Sequence, residues 1–174
     1  MTTTNSDLAE RSDLVKRKEH IDKQTWASIV NSMPIPSVDL LVKCPDGILL
    51  GKRTNEPAKG EWFVPGGRIQ KGEPLREAVH RIAEEELGLE VTIEQSLGTY
   101  DHFYDCSDVP ESGGKHYIAH AYTVSTTNCR VSGDGQHAEF QVFEAVPDPL
   151  HPHVKAYIEQ SHELCGLNNV INQS

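Results

Sequence analysis

Three consecutive glutamates, Glu84, Glu85 and Glu86, stand in the run "HRIAEEELG" between an isoleucine at 82 and a glycine at 88. Carboxylates grouped in this way either solvate a helix face or hold a hard cation. At about 100 degrees per residue, Leu75, Val79, Ile82 and Glu86 fall within about 60 degrees of one another on a helix, so Glu86 extends an apolar stripe. A carboxylate on a buried stripe costs several kcal/mol unless it is neutralised or binds a cation, which points to Glu86 as a metal ligand. Glu85 lies on another line with Arg81 and Glu77, an i, i+4 ladder expected to be partly exposed, and Glu84 reads as solvated. Just upstream, "PGGR" (65–68) reads as a glycine turn whose carbonyls can approach a cation closely, with Arg68 placed to meet phosphate.

These groups need a turn and a helix held against a sheet, and the chain supplies the signals for both. Residues 74–87 read as a helix, with Pro74 in its first turn and Gly88 at the left-handed C-terminal cap. "SVDLLVK" and "ILLGKR" flank "PDG" and read as a hairpin, and "WFVPGGRI" reads as a short strand entering the glycine turn. "VTIEQSLGTYDHFYD", "HYIAHAYTV" and "AEFQVFEAV" are rich in β-branched and aromatic residues and read as further strands. Residues 152–164 read as a C-terminal helix, and an earlier one covers 21–30, stopped by "MPIP". The order of elements implies an α+β fold, a mixed sheet with helices packed on it. Residues 1–19 are polar and read as a frayed extension, which leaves 20–174 as one domain.

Among 174 residues, 16 Lys and Arg oppose 26 Asp and Glu, a formal net charge of −10. That balance excludes a nucleic-acid partner held by general electrostatic attraction. An anionic ligand therefore needs a bound cation or a local basic pocket. No apolar run approaches the roughly 20 residues of a membrane span. The four cysteines, Cys44, Cys106, Cys129 and Cys165, are widely spaced and no export segment opens the chain, so reduced thiols in a cytoplasmic protein are expected.

The run "GGRIQKGEPLREAVHRIAEEELGL" resembles the Nudix box, G-x5-E-x7-R-E-U-x-E-E-x-G-U with U aliphatic. Gly67, Glu73, Arg81, Ala83, Glu85, Glu86, Gly88 and Leu89 match it in register, and Ile82 stands where the box has a glutamate that serves the metal site and the activation of water. Over residues 21–157 the chain is similar to one branch, the GDP-mannose mannosyl hydrolases, through "VDLLV", "LLGKRTNEPAKGEWFVPGGRIQKGE", "HFYD", "HY" and "QH". That branch also lacks the second glutamate of the box. The resemblance implies an α/β/α sandwich of Nudix type with a catalytic loop-helix-loop. It implies hydrolysis of GDP-mannose to GDP and mannose with Mg2+, by water attacking sugar C1 with inversion; Mn2+ suits the same ligands.

Carried over by position, the resemblance assigns the metal to the Gly66 carbonyl, Glu86 and Gln136 and makes His137 the general base; helix geometry leaves Glu85 as an outer helper to the metal. It places Arg53, Arg68 and Tyr117 near the departing diphosphate and Asp39 and His102 beside the sugar. It also implies a homodimer in which a partner's N-terminal segment, here His20, Ile21 and Trp26, helps hold guanine. The residue types suit this chemistry. Cleavage at C1 leaves an oxocarbenium-like sugar for a carboxylate to stabilise and a more negative diphosphate for arginines and a cation. A neutral histidine is the natural base for the incoming water.

Several of these residues have a second reading. His102 and Trp26 could be core residues, Tyr117 could be a strand residue packing on the sheet, and Arg53 could be an exposed strand end. His116, His120, His151 and His153 read as structural or exposed. With Glu85 retained, a Nudix pyrophosphohydrolase attacking phosphorus is the competing enzyme, and a nucleotide-sugar sensor without turnover is the alternative outside catalysis.

Overall fold

A computed structural model describes residues 21–110, 112–131 and 139–161. The extension at 1–19 and three expected site residues, His20, Gln136 and His137, lie outside the described residues. The first helix, α1, runs Lys23–Ser32, capped by Asp22, whose side chain accepts from the amides of Gln24 and Thr25. The strands are β1 (Ile35–Cys44), β2 (Gly47–Lys52), β3 (Trp62–Phe63), β4 (Gly66–Arg68), β5 (Thr92–Tyr104), β6 (Lys115–Ser125) and β7 (Glu139–Phe143). Helix α2 covers Leu75–Leu87 and α3 covers Pro152–Gln160.

All seven strands join one mixed sheet, ordered β3-β2-β1-β6-β5, with β4 on β1 and β7 on β2. β1 lies parallel to β6, and its other edge is shared between two antiparallel partners. Residues Ser37–Asp39 pair with β4, and Val42–Cys44 pair with β2. Where the partners part, the Leu40 amide donates to the Pro65 carbonyl at 2.8 Å.

From Val38 to Val42 β1 is covered on both faces, so that stretch reads as an apolar run interrupted by one acid. Val38, Leu40 and Val42 pack with Ala78, Val79, Ile82, Ala83 and Leu87 of α2. Leu41 faces the opposite way, with Val154, Tyr157 and Ile158 of α3. The period-2 pleat therefore puts Ser37 and Asp39 on the α3 side. This is the expected three-layer α/β/α arrangement, and α1 adds a small cluster of Val30 with Ile35 and Val109.

Three expectations change. The "PGGR" segment is strand and not turn: Gly66 and Gly67 lie in β4, paired with Asp39 and Val38. Their glycines answer to space, because a Cβ at 66 would stand 2.5 Å from Asp39 Oδ1 and 2.8 Å from the Val38 carbonyl, and one at 67 would stand 3.3 Å from Ile82. Helix α3 ends at Gln160, short of Leu164, because Ser161 turns to extended backbone while its amide still bonds to the Tyr157 and Ile158 carbonyls. Finally, Cys44 and Cys129 form a disulfide in place of two free thiols, since the end of β1 and the chain leaving β6 run side by side. Gly88 takes the expected left-handed cap at φ 66°.

Candidate functional site

The loop before α2 is held to the helix by charge. Arg81 forms a two-pronged contact with Glu73, Nε to Oε1 at 2.5 Å and Nη2 to Oε2 at 2.9 Å. Arg81 Nη2 also donates to the Arg68 carbonyl at 2.9 Å, and the Gln70 amide donates to Glu73 at 2.8 Å. Burial alone would raise the Glu73 carboxyl, but Arg81 and the Gln70 amide outweigh it and hold it low. Glu85 takes the ladder position, 3.1 Å from Arg81 and exposed. Glu84 is exposed, Glu86 is half-buried, and Ile82 is 1% exposed.

On the α3 side of β1, where β4 and β2 diverge, lies a cavity of about 240 Å³. Seven expected residues line it: Trp26, Asp39, Arg53, Gly66, Arg68, His102 and Tyr117. The topology explains the gathering. Asp39 and Ser37 share a face of β1, Gly66 and Arg68 pair with them in register on β4, and β6 brings Tyr117 level with Ile35. His102 sits opposite Tyr117 on β5. Arg53, just past β2, donates to the Pro57 carbonyl at 2.6 Å and lies over the Phe63 ring. Ile21, half-buried and just before α1, is not on the wall, nor are Glu85 and Glu86.

Behind Asp39 and His102 on the cavity wall lies a third polar group that no sequence signal announces. Tyr157 of α3, fully buried, donates its hydroxyl to Asp39 Oδ2 at 2.7 Å and meets His102 Nε2 at 3.0 Å. Burial pushes the Asp39 carboxyl up to about 6, against the lowering effect of the Tyr157 hydrogen bond and of Arg53. Burial, with His153 and His151 nearby, pushes His102 down to about 3, so it is neutral at ordinary pH. The Tyr157 phenol is raised well above its ordinary range by burial and by Asp39. His153 stacks on His102 with ring centroids 3.6 Å apart, and His151 caps α3. These two histidines, expected to be structural or exposed, are half-buried supports of the wall. Spacing in "HVKAYIEQ" marks Tyr157 only as a core residue, and Tyr104, which lines the cavity, stands within "HFYD" but is not an expected site residue.

At the opposite end Trp26 and Tyr117 flank the buried Lys115, whose ammonium lies 5.1 Å and 5.7 Å from their ring centroids and pairs with Asp108. The Trp26 indole also donates to Asp108 at 3.4 Å. The Trp26 ring is thus both packed and on the cavity wall.

The family model of the NUDIX domain matches residues 33–160. The chain belongs to the Nudix family. A curated relative, the low-salt glycan biosynthesis protein Agl8 of Haloferax volcanii, is 46% identical over 150 residues, 86% of this chain and 96% of that protein. An ADP-ribose pyrophosphatase of Methanocaldococcus jannaschii is 32% identical over 122 residues, 70% of each chain. Among solved structures, a MutT NUDIX hydrolase from Burkholderia pseudomallei superposes with a TM-score of 0.58 at 29% identity, covering 75% of this chain and 99% of that one.

Nudix hydrolases use divalent metal ions and bind nucleotide derivatives. Among the described residues, no three His, Cys, Asp or Glu side chains converge as a ready cage. The donors present are hard oxygens and few, as magnesium prefers while it keeps its waters. Glu86 lies in the last turn of α2, where the carbonyl end of the helix favours a cation and the turn itself carries no basic residue. A carboxylate such as that of Glu86 and a backbone carbonyl such as that of Gly66 are the donor types a hard divalent ion takes.

Proposed function

We propose that this Nudix hydrolase cleaves a GDP-sugar, GDP-mannose in the first instance, to GDP and the free sugar by attack of water at C1 with inversion, in a homodimer and with Mg2+. The observation that carries the reading is Ile82. Attack on phosphorus uses a carboxylate at that position of the box, and here the position is buried against Gly67 and the α2 core. A relative named for glycan biosynthesis suits a sugar-bearing substrate.

The bound cation would neutralise charge on the departing diphosphate and lower the cost of its departure. Arg53 and Arg68 share the cavity and add fixed positive charge for the same end. Asp39, anchored by Tyr157, offers a carboxylate to the positive charge that develops on the sugar. His102, neutral and held by its ring neighbours, sits beside it. His137 takes the proton of the incoming water in this reading, with Gln136 as the further metal donor. Ile21, Trp26 and His20 belong to the nucleobase end.

The similarity to an ADP-ribose pyrophosphatase keeps attack at phosphorus as the second reading. Incubation with GDP-mannose and magnesium in 18O-water separates the two. Labelled mannose with unlabelled GDP is the expected outcome. GMP with mannose 1-phosphate would refute attack at carbon, and tight binding without products would indicate a sensor.

A further inference from the structure

The contact between Tyr157, Asp39 and His102 has a definite polarity. A phenol carries one proton, and Tyr157 gives it to Asp39 Oδ2 at 2.7 Å. The 3.0 Å contact with His102 then requires the imidazole to be the donor, with its proton on Nε2. His102 is neutral, so Nδ1, 3.9 Å from Asp39 Oδ2, keeps its lone pair. Occupation of Oδ2 leaves the other carboxylate oxygen, Oδ1, beside Gly66 on the cavity wall.

We propose that Tyr157 is a positioning residue for this site. Its hydroxyl fixes the Asp39 carboxylate and the His102 tautomer together, so this end of the cavity presents hydrogen-bond acceptors and selects ligands that bring hydroxyl donors. The role rests on reading the cavity as a nucleotide-sugar site, and it deepens that reading: a polyol ring satisfies two acceptors, whereas a phosphate or carboxylate meets two repulsive lone pairs. Tyr157 reaches the site from the helix that closes the far face of the sheet, and the surroundings leave its ring little freedom. Tyr100 packs edge-on at 4.9 Å, and Leu41, Val154 and Ile158 belong to the same buried cluster.

Two measurements test this independently. In 15N-imidazole NMR, with His102 assigned by the signal lost in His102→Gln, the wild-type protein should show the Nε2–H tautomer, and Tyr157→Phe should convert it to a mixture or to Nδ1–H. An Nδ1–H tautomer in the wild type, or no change in Tyr157→Phe, would overturn the proposal. With GDP-mannose, Tyr157→Phe should lower kcat by about 100-fold, the scale of a displaced catalytic group, while KM changes far less; unchanged kcat would also overturn it. If the wild-type protein leaves GDP-mannose intact, the substrate reading fails, and the tautomer comparison still decides the role of Tyr157. Should Tyr157→Phe not fold, the wild-type tautomer alone decides: Nε2–H upholds the proposal and Nδ1–H overturns it.

Discussion

Among the three glutamates, residue-level geometry separates Glu86 from its neighbours. Glu84 is solvated, Glu85 is committed to Arg81, and Glu86 lies half-buried one turn beyond Ile82. With Glu86 as a ligand, Glu86→Gln should reduce turnover by about 100-fold and raise the magnesium concentration needed for half-activity. Chelation by EDTA should abolish activity and added Mg2+ should restore it; activity that survives chelation would remove the metal from the scheme. Restoring the missing carboxylate with Ile82→Glu should not create a phosphorus-attacking enzyme. It buries a charge among Val38, Val79 and Leu87 and should cost about 3–5 kcal/mol, read as a lower urea midpoint. Helical phase made Glu86 and Ile82 legible in sequence because both belong to one long, strongly periodic element. Tyr157 was not legible, since its bond to Asp39 spans 118 positions and helical spacing explains it equally well as core.

The elements divide in the same way. Helix α2, the β1–β2 hairpin and strands β5 and β6 follow from periodicity, caps and turn residues. β4 does not, because two adjacent glycines carry a turn signal in sequence, whereas their actual constraint is a neighbouring backbone and side chain from β1 and α2. The join between β4 and α2 depends on the Glu73–Arg81 pair. The Glu73 side chain is fully buried, so Arg81→Ala would strand an unpaired carboxylate and release the Arg68 carbonyl. It should destabilise the fold by about 3 kcal/mol, measured by urea unfolding, and weaken activity by loosening Arg68. A midpoint within error of the wild type would show that the pair is dispensable.

For the whole molecule, protonation should govern stability in acid. Burial holds His102, His151 and His153 below the 6.5 of a free imidazole, so the unfolded chain takes up protons first as pH falls. Their contribution is complete above about pH 6.5 and is lost on acidification, for His102 down to a folded pKa of about 3. Asp39 opposes them, because its shift from 3.8 to about 6 adds a penalty that grows as pH rises between those values. Three imidazoles against one carboxyl give a lower urea midpoint at pH 5 than at pH 7.5; a flat profile would contradict the burial of the cluster. The Cys44–Cys129 bridge, invisible in widely spaced cysteines, closes a separation of 85 residues, and its reduction should cost about 2–4 kcal/mol. Comparing unfolding midpoints with and without dithiothreitol checks that figure. Strand β4 carries one further consequence. On one side it touches Ile82 of α2, on the other Asp39, and with glycine at both contacts the partition between helix and cavity is bare backbone. Any larger side chain at these two positions would have to displace Asp39 on one side or Ile82 on the other, so the width of the partition is set by the backbone alone.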